Sequence, residues 1–255
     1  MKLDRQTNKL YYDDFYLSQA TAKIIKVGPD YIELGTTVAF PEGGGQEADQ
    51  GTIFFPDGRI IRFTGAKKIY TNFSGLKEFP DVQVDGVIWH LVHIDDQIML
   101  AGLEIGSEVI VSVDTERRSR LSLSHTASHL LYIGVGMHRP DAVKSILGCH
   151  IKINSARFDF GIKDRFTPEE ITQIEACANQ FVKQNSLVSV STHSIIPDVR
   201  FWHCAEHVIP CGGTHVDCCA PIGLLSVHRK SLGAGKERLS CSFPAAIFDV
   251  NRYHK

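Results

Sequence analysis

The 255-residue chain carries 27 lysines and arginines against 29 aspartates and glutamates, a formal net charge of −2, and 43% of its residues are hydrophobic. That is the composition of an ordinary soluble globular protein with material for a sizeable core, at a length between one domain and two. It excludes a chain whose overall charge recruits nucleic acid, although phosphate contacts need only a local basic surface.

From Thr21 to about Val113 short runs rich in β-branched and aromatic residues predict strands: Lys23 to Val27, Tyr31 to Leu34, Thr52 to Phe55, Ile60 to Phe63 and Val87 to Leu91. Gly28-Pro29-Asp30 and Pro56-Asp57-Gly58 punctuate them as hairpin turns. Strands at this spacing predict a small β-barrel over residues 1–113. Within it lies Phe40-Pro41-Glu42-Gly43-Gly44-Gly45-Gln46, followed by Asp49 and Gly51. This is either a flexible turn or a backbone that approaches a ligand, with Gln46 as neutral donor and acceptor. No Lys-Ser or Lys-Thr follows, so it is not a nucleotide phosphate loop.

The pattern changes after Val113. A helix carrying His125 and His129 is expected, capped by serine within Leu121-Ser122-Leu123-Ser124 and ending near Gly134 or Gly136. Extended segments follow from Lys144 to Phe160. Thr167-Pro168-Glu169-Glu170 is a capping box with proline at the first helical position, and Ile171, Ile174, Ala178 and Phe181 continue it at helical spacing to about Asn185. Strands return at Leu187 to Ile196, Leu224 to Lys230 and Arg238 to Phe243. Residues 114–255 are therefore expected as an α+β unit, helices on a mainly antiparallel sheet.

His125 and His129, one helical turn apart, present two imidazoles on one face. Cys211 and His215 enclose Gly212, Gly213 and Thr214, a tight loop rather than a helix. Three imidazoles and one thiolate suit zinc. His203 and His207 repeat the i, i+4 spacing just before Cys211 but lack an apolar helical period; Cys218 and Cys219 are lower-ranked alternatives to Cys211. His90, His93, His138, His150, His193, His228 and His254 are read as surface or hydrogen-bonded core residues. Basic stretches flank the two ligand pairs: Arg117-Arg118-Ser119-Arg120, and His228-Arg229-Lys230 continuing to Lys236 and Arg238. An odd count of seven cysteines, no signal peptide and no bilayer-length apolar run predict a cytoplasmic protein without disulfides or membrane contact.

Taken in order, the glycine-rich segment through Gly51, His125-Thr126-Ala127-Ser128-His129-Leu130-Leu131, Arg157-Phe158-Asp159-Phe160 and Cys211-Gly212-Gly213-Thr214-His215 resemble the AlaX-type alanyl-tRNA editing proteins, in their medium form, and the editing domain of alanyl-tRNA synthetase. The resemblance implies a hydrolase that removes serine, and also glycine, from mischarged tRNA(Ala) without ATP. It implies zinc held by His125, His129, Cys211 and His215, and a substrate site including Gly43, Gly44, Gly45 and Gln46. Arg238 is a candidate substrate-binding residue, and Thr126, Ser128 and Gln46 are candidate catalytic groups able to hold a water. Two departures stand out: Ser128 replaces the family's more frequent threonine, and Asp217-Cys218-Cys219-Ala220-Pro221 replaces a polar stretch. A zinc-braced RNA-binding module without catalysis is the alternative. A metalloprotease is disfavoured because Thr126 stands where its glutamate base would be. The assembly is left open between monomer and homodimer.

Overall fold

The computed structural model describes residues 5–70 and 84–255; residues 71–83, inside the stretch predicted to be strand-rich, lie outside it. Its first part contains β1 (Asn8–Lys9), β2 (Gln19–Val27), β3 (Tyr31–Leu34), β4 (Thr36–Thr37), β5 (Gly51–Phe54), β6 (Ile60–Ile69), β7 (Val87–Val92) and β8 (Glu108–Val113). Six of these close an antiparallel barrel in the order β2-β3-β7-β6-β5-β8, and β1 pairs with β4 in parallel. The closure follows from alternation. In β8 Val109, Val111 and Val113 turn inward while Glu108 and Ile110 face out, and the inward residues join Ile24, Ile32, Leu34, Ile53, Ile61 and Ile88 in one apolar core. The predicted turns fall at the joints: Gly58 takes φ +87°, and the Asp57 carboxylate accepts from the Arg59 amide at 3.0 Å.

Asp114 passes the chain to α1 (Thr115–His138), whose first turn it caps by accepting from the amide of Arg117. The helix thus starts earlier than predicted, because Asp114 is the available cap; Ser122 and Ser124 are buried inside the helix. It also ends later. Gly134 lies within it, where a Cβ would stand 2.7 Å from the Ile174 carbonyl, so that glycine admits a second helix instead of ending the first. Termination falls at Arg139, whose backbone is pushed out of the helical region ahead of Pro140.

Next come α2 (Pro140–Val143), β9 (Ile146–Lys152), β10 (Ser155–Phe160) and α3 (Pro168–Lys183), the last opened by the predicted capping box of Thr167 and Glu170. β11 (Val188–Thr192), β12 (Arg200–Cys204), β13 (His207–Pro210), β14 (Ser226–Gly233) and β15 (Lys236–Ser242) complete the order. An antiparallel sheet β14-β15-β10-β9 packs one face on α1 and α3, burying Phe158, Phe160, Leu239 and Cys241, and β11-β12-β13 form a separate three-stranded sheet. The mixed α+β fold is as predicted. The pair β12-β13 was not: its inward row is Arg200, Trp202 and Cys204, and a buried arginine hides the alternation from a hydropathy reading.

Backbone pairing is among the contacts that tie the two parts. The Ile151 amide donates to the Gly45 carbonyl at 2.7 Å and the Glu47 amide donates to the Ile151 carbonyl at 3.1 Å, so the glycine-rich segment lies along the β9 edge like another strand. All seven cysteines are unpaired, and no helix among the described residues is long and apolar enough to cross a membrane.

Candidate metal centre

Helix α1 places His125 and His129 one turn apart, their rings stacked with centroids 5.0 Å apart. The loop after β13 brings Cys211 and His215 against them. The Cys211 sulfur is 3.4 Å from Nε2 of both His125 and His215, and one ligand atom from each of the four residues lies within 4.8 Å of the others. His203 and His207 do not join them: His203 bonds Ser191 at 2.7 Å and His207 packs edge-on against Phe181. Cys219 instead contacts Cys204 at 4.0 Å.

The histidine tautomers can be assigned from their neighbours. Gln46 donates through Nε2 to the Thr214 hydroxyl at 3.0 Å and accepts at Oε1 from the Thr214 amide at 3.1 Å, which fixes its amide orientation. Nδ1 of His125, 2.6 Å from that same oxygen, therefore carries the proton, leaving the Nε2 lone pair toward Cys211. The Thr126 hydroxyl donates to the Ser122 carbonyl and accepts from the Val216 amide, so Nδ1 of His215, 3.4 Å away, is its second donor. His215 too offers Nε2. His129 is buried with Nε2 lacking any partner, and Trp202 stacks on its ring at 4.7 Å.

These groups fit a metal ion. An unpartnered buried imidazole nitrogen is costly unless something coordinates it. Burial depresses the pKa of all three imidazoles, to about 3 for His129, with the neighbouring histidines adding to the effect at His125 and His215; all are neutral ligands at pH 7. Burial also pushes the Cys211 thiol up to about 12, partly opposed by the Gly213 amide donating to its sulfur. A cation is what converts such a thiol to thiolate at neutral pH.

The glycine motif reaches this cluster through a tight turn. Gly43 and Gln46 exchange backbone hydrogen bonds, and Gly44 and Gly45 take φ of +58° and +85°, the paired positive values of a type I′ turn. Gly45 is needed sterically as well, since a Cβ there would stand 2.3 Å from the Cys149 sulfur. Gly43 and Gly44 are exposed and Gln46 is fully buried. The hydroxyls of Thr126 and Ser128 are buried too, Ser128 donating to the His125 carbonyl at 2.7 Å. Arg238 is not brought to the cluster; it stands on the face of the sheet away from α1, paired with Asp159 at 2.6 Å. The basic stretch before His125 is likewise mostly internal: Arg118 is fully buried against Asp49, and Arg117 bonds Glu47 and the Ala48 carbonyl. Sequence reasoning missed Ser122 and Thr214, whose hydroxyls bond each other at 2.8 Å behind the histidines, and Trp202, which no motif marks.

An antiparallel barrel joined to an α+β unit, with a buried three-histidine, one-cysteine group where they meet, defines the class of molecule. No protein-family model matches the chain. It is similar to the alanyl-tRNA editing protein AlaX-M of Pyrococcus horikoshii, with 29% identity over 237 residues, covering 91% of this chain and 96% of that one. It is similar also to the alanine–tRNA ligases of Methanosphaera stadtmanae, at 29% over 268 residues, and Pyrobaculum calidifontis, at 30% over 256 residues. The chain spans only 27% and 25% of those ligases. The resemblance to AlaX-type editing proteins carried by four short motifs thus extends along nine-tenths of the chain.

Proposed function

We propose that this chain is a cytoplasmic, zinc-dependent deacylase that hydrolyses the ester of tRNA(Ala) wrongly charged with serine, and also with glycine. The observation that carries the reading is the convergence of His125, His129, Cys211 and His215 within 4.8 Å, in a chain similar almost end to end to an alanyl-tRNA editing protein.

Three imidazole nitrogens and a sulfur suit a borderline-soft divalent ion, which favours zinc. When bound there, zinc supplies Lewis acidity toward an ester carbonyl. The protein's own part is positioning. Gln46 and Thr126 hold His125 and His215 with Nε2 presented, and such second contacts set ligand orientation and affinity. Trp202 covers His129 and keeps water from that side. Gly43 and Gly44 are exposed in the turn that leads to Gln46, and backbone rather than side chain there would let an aminoacyl end approach. A site that hydrogen-bonds a hydroxyl rejects an analogue lacking it by about 10⁴-fold or more, which is how serine would be removed and alanine spared.

The test incubates Ser-tRNA(Ala) and Ala-tRNA(Ala) with the protein, with and without a chelator. Fast loss of the seryl ester alone, abolished by chelation and restored by zinc, is expected; equal slow loss of both in every tube would overturn the reading. Four protein ligands are also the signature of a closed structural site, and this favours the non-catalytic RNA-binding module as the second reading. Cys211→Ala separates the two: a catalytic centre loses deacylation while the fold persists, a structural one loses thermal stability together with RNA binding.

A further inference from the structure

The outer face of the sheet β14-β15-β10-β9 is a second place where chemistry gathers. Register puts His150, Arg157, Ser240 and His228 in one cross-strand row, and Asp159, Arg238 and Lys230 in the next. Lys152 opens the row on the other side, which otherwise consists of serines. These residues are exposed or half-buried, whereas their neighbours Phe158, Leu239 and Cys241 are buried beneath α1 and α3. Four cations, Lys152, Arg157, Arg238 and Lys230, stand in these strands with one carboxylate, Asp159, which both arginines bond, while Glu47 bonds His150 from the edge. No large apolar side chain stands in these rows.

We infer that this sheet face is the surface on which the RNA backbone of the substrate lies, with Lys152 and Lys230 contacting phosphates and Asp159 fixing the Arg157 and Arg238 guanidinium groups toward them; this rests on the deacylase reading above. Three observations support it. Four cations and one carboxylate share the strand rows of this face in a chain whose total charge is −2, a local basic surface of the kind that phosphate binding requires. Serines beside the charged rows leave room for an extended polyanion rather than a socket for a small one. The face is linked to the metal centre by contacts: Nε2 of His150 is 3.2 Å from the Glu47 carboxylate, and Glu47 follows Gln46, the residue behind His125. The same geometry separates the basic run read from sequence into two roles. Arg229 is turned to Glu237, on the opposite face, and Lys230 and Arg238 remain outward.

The experiment uses the full chain with metal bound and compares Lys152→Glu/Lys230→Glu with Lys67→Glu/Lys183→Glu, an equal charge change on exposed lysines of β6 and α3. Binding of uncharged tRNA(Ala) is measured at several salt concentrations. Hydrolysis is measured on Ser-tRNA(Ala) and on 3′-O-seryl-adenosine, which has no chain to lie on the sheet. Expected for the face variant are at least tenfold weaker tRNA binding, a log–log salt slope shallower by about two, and a raised KM for Ser-tRNA(Ala). Hydrolysis of the adenosine ester should match the parent and so report an intact site. Unchanged affinity and slope, or equal losses in both variants, would overturn the surface assignment while leaving the deacylase reading standing. A parent protein that hydrolyses neither ester would sink that reading instead, and the binding measurements would still decide the surface.

Discussion

The amide oxygen of Gln46 lies 2.6 Å from Nδ1 of His125, joining residues 79 positions apart across the seam between barrel and helix. Because the oxygen also accepts from the Thr214 amide, Gln46→Leu strands two buried donors and frees His125 to rotate. Metal affinity should fall by about 10- to 100-fold, the usual effect of losing such a support. Competition against a chromogenic chelator reads this directly, and an unchanged affinity would mean that His125 is held by other contacts.

Gly213 leaves no room for a side chain. A Cβ there would stand 2.1 Å from the His125 ring and 2.9 Å from the Gln46 amide oxygen, whereas at Gly212 the nearest atom is the Tyr12 hydroxyl at 3.3 Å. Gly213→Ala is expected to lose most of its bound metal and its deacylation activity, and Gly212→Ala to keep both. Elemental analysis of the two purified variants, alongside seryl-ester hydrolysis, checks the contrast.

Arg118 and Asp49 form an ion pair with both side chains fully buried, and the guanidinium also donates to the carbonyls of Phe15 and Val38. Removing one partner leaves the other charge uncompensated, so Arg118→Met should cost about 3–5 kcal/mol of folding stability. Adding Asp49→Asn, which keeps an acceptor for the Phe40 amide, should recover part of the loss. Urea denaturation of single and double variants tests this; a cost below about 1 kcal/mol for the single change would show the pair to be dispensable.

His90 gives the barrel a pH dependence. It is buried with Nδ1 donating to the Ile32 carbonyl and Nε2 accepting from the Thr37 hydroxyl, and burial lowers its pKa to about 4, partly offset by the Ile32 hydrogen bond. The unfolded chain, with an ordinary histidine pKa near about 6.5, then binds more protons than the folded one between those values. Stability from this group is therefore complete above about pH 6.5 and is lost as pH falls toward 4, by a few kcal/mol at most. Urea midpoints from pH 7 to 4.5 should decline less steeply in His90→Gln than in the parent.

Much of this molecule is legible in its residues because the responsible signals are local. β-Branched and aromatic runs with turn formers between them mark β2, β3, β5, β6 and β7; Thr167 and Glu170 mark the start of α3; and two four-residue spacings bring out His125, His129, Cys211 and His215. What escapes is set by distant neighbours. Asp114 outcompetes the serines as a cap only because β8 delivers it there. Trp202 becomes a wall of the metal cluster only once β12 forms, and β12 is disguised by its buried Arg200. Arg238 is near the ligands in sequence and on the far side of the sheet in space, a separation that strand register alone reveals.

The bonding of Gly45 and Glu47 along Ile151 means that the halves of this protein are not interchangeable modules. A fragment cut at Asp114 would expose an unpaired strand border prone to self-association and would lack the amide that steadies His125. Any shortened descendant of this architecture would have to supply a substitute for that borrowed segment, so an insertion or recombination breakpoint between Phe40 and Asp49 should cost the metal cluster its support even where the barrel still closes.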